Sequence, residues 1–197
     1  RSMNGESYKH IVLQSNGVEL FTLYQKIMNA AGEDPSCEAL VLLHDDLEFR
    51  DTRLAEKIRK SMSSSDVAGL IGSRGAKSLA WWEGERCGSV TDDAYGLHDF
   101  GFDYGAFIDG HMYCEVDTLD GMCLILSPFA FRHLRLEGTG YVGFHGYADE
   151  LCYQVRKYGR CSVAFDITAH HHSKGGYAGG VSTWLAANEN FRKRWLT

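Results

Sequence analysis

Only 2 of the 197 residues are proline, Pro35 and Pro128, against 22 glycines. Chain reversal therefore falls mainly to glycine, and a proline-rich linker or recognition segment is excluded. No cysteines stand at CxxC spacing: Cys37, Cys87, Cys114, Cys123, Cys152 and Cys161 are scattered, mostly inside apolar segments. This excludes short-spaced thiolate zinc motifs and predicts reduced, buried thiols of a cytosolic protein rather than a disulfide frame. No apolar run approaches the roughly 20 residues that a membrane-crossing helix needs. Basic clusters are also scarce: the net charge is −6, and Arg192-Lys-Arg194 suits the last turn of a terminal helix. Nucleic acid is excluded as a partner, because phosphate contacts need grouped Lys and Arg.

What remains is an ordinary globular composition, 44% hydrophobic and 23% charged. We expect a single domain over residues 10–197, behind a disordered or tag-derived lead over residues 1–9. A short strand is expected at 10–13. Val18, Phe21, Tyr24, Met28 and Ala31 then share one helical face that stops at Gly32. Residues 39–43 form an apolar strand of the kind buried on both faces. Asp51 opens a helix marked by Leu54, Ile58 and Met62, and 67–71 is the next strand. This alternation predicts an α/β fold with a Rossmann-like, mostly parallel sheet flanked by helices.

The segment 72–115 breaks the rhythm. It carries Trp81, Trp82, Tyr95, Phe100, Phe102 and Tyr104, and reads as a long functional loop with room for a short hairpin. A strand at 122–126, a helix opening at Pro128, a helix at 149–158 stopped by Gly159, a strand at 161–167 and a final helix Val181–Trp195 complete the expected order.

Two segments deliver acids at the ends of regular elements. The apolar strand stops at His44-Asp45-Asp46, where hard oxygen ligands suit Mg²⁺ or Mn²⁺. The plainer reading is that these acids cap the turn to the next helix. Asp149 and Glu150 open a helix, where one of them can serve as a general base; as a bland alternative, acids at that end favour the helix dipole. Among His170, His171 and His172, one imidazole can complete a site begun by Asp46, or all three form a polar turn. Trp81 and Trp82 can stack on a sugar ring or serve as packing anchors.

Taken in order, Val41-Leu-Leu-His-Asp-Asp46, Trp81-Trp82, Val116-Asp-Thr-Leu-Asp-Gly121, His145-Gly-Tyr147 with Asp149-Glu-Leu-Cys152, and His171-His-Ser173 resemble nucleotide-sugar glycosyltransferases of the A-type fold. The likeness is to the small bacterial family 2-like group and covers roughly Gly17 to Trp195. It implies Asp46 and His171 as ligands of Mn²⁺ or Mg²⁺. It places Asp45, Trp81, Trp82, Asp120, Gly121 and His145 at the substrates, and Glu150 or Asp149 as the base. The implied reaction is inverting transfer from a nucleotide sugar, a UDP-sugar foremost, to a hydroxyl of a glycan or glycoconjugate. The implied setting is cytoplasmic, at the inner face of a membrane with peripheral contact.

The Pro-x-Tyr-Asn-like turn of such enzymes has no counterpart here, so we expect the first strand-helix unit to be missing and the nucleotide pocket reduced, or the chain to be cut from a longer protein. A non-catalytic glycan- or partner-binding domain is the alternative, and a metal hydrolase built on Asp45, Asp46 and the histidines is a third reading.

Overall fold

The computed structural model describes residues 8–9, 11, 19–101, 105–108, 110–158, 162–165, 167–177 and 179–197. Most of the strand expected at 10–13, together with Val18, Phe102, Tyr104, Gly159 and Cys161, lies outside them.

Helix α1 (Leu20–Glu33) buries Phe21, Tyr24, Met28 and Ala31, the face read from the periodicity. Strands β1 (Leu40–Leu43) and β2 (Leu47–Phe49) flank the turn 44–46, followed by α2 (Leu54–Ser64), β3 (Val67–Gly69) and β4 (Ile71–Arg74). A 3-10 turn over Trp81–Glu83 leads to β5 (Glu85–Asp92), β6 (Gly96–Asp99), β7 (Ala106–Ile108), β8 (His111–Val116) and β9 (Thr118–Leu119). Strand β10 (Cys123–Leu126) enters α3 (Pro128–His133), where the Ser127 hydroxyl caps the helix by accepting from the Ala130 amide at 3.2 Å. Helix α4 (Tyr147–Arg156), β11 (Ser162–Phe165), β12 (Ala169–His171) and α5 (Val181–Trp195) complete the chain.

The segment expected to be a loop is thus largely sheet. Its strands were hidden because β5 carries Gly88 in mid-strand at φ +102°, where a Cβ would collide with the Leu70 carbonyl. Only glycine fits there, and it interrupts the apolar alternation that marks a strand.

The expected mostly parallel sheet is overturned as well. The strands order as β1-β10-β3-β11-β8-β7 and as β2-β12-β5-β4-β9, with β6 on β5. Among the described residues only β11 on β3 and β12 on β5 run parallel; every other pairing is antiparallel. The A-type, Rossmann-like architecture is therefore replaced by two mixed, mainly antiparallel sheets. The apolar runs reported burial on both faces but not strand direction. Strand β10 shows this: Leu124 and Leu126 pack with Met28, Phe131 and Leu151, while Cys123 and Ile125 face Ile58, Leu70 and Ile71 on the other side.

A disulfide joins Cys87 of β5 to Cys114 of β8, which corrects the expectation that all thiols are reduced and links the two sheets. Cys37 and Cys123 are free. Among the described residues no helix is long and apolar enough to cross a membrane.

Candidate metal centre

Strand β12 lies between β2 and β5, with His171 paired to Leu47 and Asp92. All three are buried. His171 Nδ1 lies 2.9 Å from Asp92 Oδ2. A carboxylate can only accept, so Nδ1 carries the proton and the lone pair falls on Nε2. Asp92 is itself fixed by the amides of Ala94 and Tyr95, which donate to Oδ1 at 2.7 and 3.1 Å.

His171 Nε2 is buried without a hydrogen-bond partner and lies 3.2 Å from Asp46 Oδ1, which is also buried and without one. Two lone pairs facing each other at that distance call for a cation between them, either a proton on the ring or a metal ion.

His44, just beyond β1, completes the group. Its Nε2 is 3.0 Å from the Tyr147 hydroxyl, which donates to the Gly121 carbonyl at 2.7 Å. With that proton committed, His44 must donate from Nε2, which leaves the lone pair on Nδ1. Burial pushes the His44 pKa down, assisted by His171 and opposed by Asp120, Asp46 and Asp45. The ring is therefore favoured in the neutral form that binds metals. His44, Asp46 and His171 each offer a ligand atom, and these atoms lie within 4.8 Å of one another. Two imidazoles and a carboxylate suit Mn²⁺ and its transition-metal neighbours better than Mg²⁺, which prefers oxygen and water.

The structure thus brings Asp46 and His171 together and adds His44, Asp92 and Tyr147, to which the sequence reading gave no role. The signal for His44 was its place two residues before Asp46; Asp92 lay in the misread loop.

The other expected residues sort unequally. Asp45 is exposed. Asp120 accepts from Trp81 Nε1 and from the Met122 amide, both at 2.8 Å, and its charge is the strongest influence holding the His44 pKa up. Gly121 lies so close under Tyr147 that a Cβ would meet its hydroxyl at 2.5 Å.

Asp149 and Glu150 both sit in the first turn of α4, yet their surroundings differ. Glu150 is fully buried and accepts from Arg194 (Nε at 2.9 Å, Nη2 at 3.1 Å), Trp195 Nε1 (2.8 Å) and Gln154 Nε2 (2.6 Å). It ties α5 to α4 and has no capacity left for a substrate proton. Asp149 meets the Thr118 hydroxyl, and burial pushes its pKa up to about 7 against that hydrogen bond, with the Asp120 and Glu150 charges adding to the rise. A carboxyl poised near neutrality is the form a general base takes.

Aromatic rings link the metal cluster to the surface. The ring centroids run Trp82 to Trp184 at 6.3 Å, Trp184 to Tyr177 at 5.4 Å, Tyr177 to His145 at 6.4 Å, His145 to Phe144 at 5.6 Å and Phe144 to His44 at 5.2 Å. Trp81 packs edge-on against Trp82. At the outer end, Trp82 and Tyr177 are 43% and 41% exposed.

No protein-family model matches the chain. Over 175 residues, 86% of its length, it is 30% identical to the streptomycin biosynthesis protein StrF of Streptomyces griseus. It spans 58% of the length of that relative.

Proposed function

We propose that this chain is a metal-dependent inverting glycosyltransferase that moves a sugar from a nucleotide-sugar donor, a UDP-sugar foremost, to a hydroxyl of a glycan or glycoconjugate. The observation that carries the reading is the facing pair Asp46 Oδ1 and His171 Nε2, buried and unpartnered, with neutral His44 beside them. His44, Asp46 and His171 would hold Mn²⁺. When bound, such an ion supplies positive charge against the departing diphosphate.

The remaining chemistry belongs to the chain. Asp149 takes the proton of the acceptor hydroxyl as its oxygen bonds to the anomeric carbon; the bond from that carbon to the diphosphate breaks, and the nucleoside diphosphate leaves. The rings from Trp82 to His145 offer flat apolar faces to the sugars. The relative's name places that protein in a biosynthetic pathway, in keeping with a building rather than a degrading role. The reading includes a cytoplasmic setting at the inner membrane face.

Incubation with a panel of UDP-sugars and Mn²⁺, followed by assay of released UDP, tests this. Release that depends on an acceptor and disappears in Asp46→Ala supports it. Release untouched by that substitution sinks the metal role. The exposed rings favour one other reading, a glycan-binding domain, for which glycan would bind without metal and no UDP would appear.

A further inference from the structure

We propose that the opposite face of β12 carries a second transition-metal site, formed by His170, His172 and Asp93. It is separate from the His44–Asp46–His171 cluster and does not depend on the activity proposed above. Side chains alternate across a strand, so three consecutive histidines cannot serve one site. His171 turns inward, while His170 and His172 stand together outside, their rings stacked at 4.3 Å and 19°. The two acids at the end of the neighbouring strand, Asp92 closing β5 and Asp93 just after it, divide in the same way. Asp92 serves His171, and Asp93, whose amide donates to the His171 carbonyl at 3.0 Å, serves the outer pair.

Asp93 Oδ1 lies 2.5 Å from His170 Nε2, and Oδ2 lies 3.1 Å from His172 Nδ1. His170 Nδ1 is buried without a partner, so Nε2 is that ring's only polar outlet, and it is directed at Asp93. The three residues offer ligand atoms within 4.8 Å of one another. Glu48, anchored to Arg50 at 3.2 Å, stands 3.3 Å from His172 Nε2 and closes the cluster from β2.

Two imidazoles and one carboxylate, with a side open to solvent, make a three-ligand set of the kind that takes Zn²⁺, Co²⁺ or Ni²⁺ and leaves a position for water. Stacking holds the two rings so that both present a nitrogen to one carboxylate, which reduces the ordering needed on binding. The strand thus repeats one imidazole–carboxylate arrangement on its two faces, one buried and one exposed.

Titration of the metal-free protein with Co²⁺, followed by calorimetry and by the visible absorption of the bound ion, tests this. We expect two equivalents per chain, one abolished by Asp46→Ala and the other by His170→Ala/His172→Ala. The single exposed change His172→Gln, which leaves the buried face alone, should weaken the second equivalent by roughly tenfold or more. A single wild-type equivalent that survives His170→Ala/His172→Ala, or two equivalents in that double variant with unchanged affinities, overturns the proposal; a single equivalent lost in that variant removes the buried cluster and leaves this site standing. Should the double variant misfold by circular dichroism, His172→Gln decides alone: unchanged affinity for both equivalents overturns the site.

Discussion

Arg194 reaches from α5 to the fully buried carboxylate of Glu150, with Nε 2.9 Å from Oε2 and Nη2 3.1 Å from Oε1. Removing the cation leaves a buried anion supported, among the described residues, by Trp195 and Gln154. Arg194→Ala should cost about 3 kcal/mol, the low end for breaking a buried pair because the Arg194 side chain is 38% exposed. Adding Glu150→Gln to that variant should recover part of the loss by removing the stranded charge. Urea denaturation checks this; a double variant less stable than Arg194→Ala would show that the pair is not coupled.

Asp92 holds His171 in the tautomer that directs a lone pair at Asp46. In Asp92→Asn the amide carbonyl can still accept, but the carboxylate charge that favours the Nδ1–H form is gone. Mn²⁺ affinity should fall by about 10- to 100-fold, as for other partners that orient a ligand, with the fold intact. Calorimetry on the two proteins measures it, and equal affinities would remove Asp92 from the site.

Asp149 should leave its mark on stability as well as rate. Its pKa is about 7 in the folded protein and near the ordinary aspartate value of about 4 in the unfolded chain. Between those values the native state binds the extra proton, so stability from this group falls as pH rises and is unaffected below about pH 4. Asp149→Asn should flatten that decline in urea midpoints taken at pH 4, 5.5 and 7. Transfer activity, which needs the ionised base, should rise with pH through a midpoint near 7 in the wild type.

Gly121→Ala tests the close packing beneath Tyr147. The added methyl meets the Tyr147 hydroxyl and ring, at 2.5 and 2.7 Å, and must push them away from His44. A loss of about 1–3 kcal/mol in stability is expected, as in other overpacked sites, together with weaker Mn²⁺ binding. Tyr147→Phe should weaken the metal with a smaller cost in stability, because it deletes the hydrogen bond without a clash. Metal affinity unchanged in both would detach Tyr147 from the centre.

The sequence disclosed Asp46 and His171 because each follows an apolar strand, and the structure sets them 3.2 Å apart. It disclosed the buried face of α1 for the same reason, periodicity. It did not disclose strand direction: the run at β10 looks alike in parallel and antiparallel sheets, since both faces are covered in either case. Nor did it separate Asp149 from Glu150, adjacent acids whose roles depend on Arg194 and Trp195, some 44 positions further along the chain. Asp92 was lost with β5, where Gly88 satisfies a close backbone approach at the expense of the alternating pattern.

The bridge between Cys87 and Cys114 ties β5, the strand that ends at Asp92, to β8 of the other sheet. His44 follows β1 of that other sheet, whereas Asp46 leads into β2 and its carbonyl accepts from the His172 amide at 2.8 Å, so the metal cluster spans the two sheets across the turn 44–46. Reductant in the buffer would remove this one covalent tie and leave the chain crossings β1–β2, β3–β4 and β8–β9 to hold the sheets together.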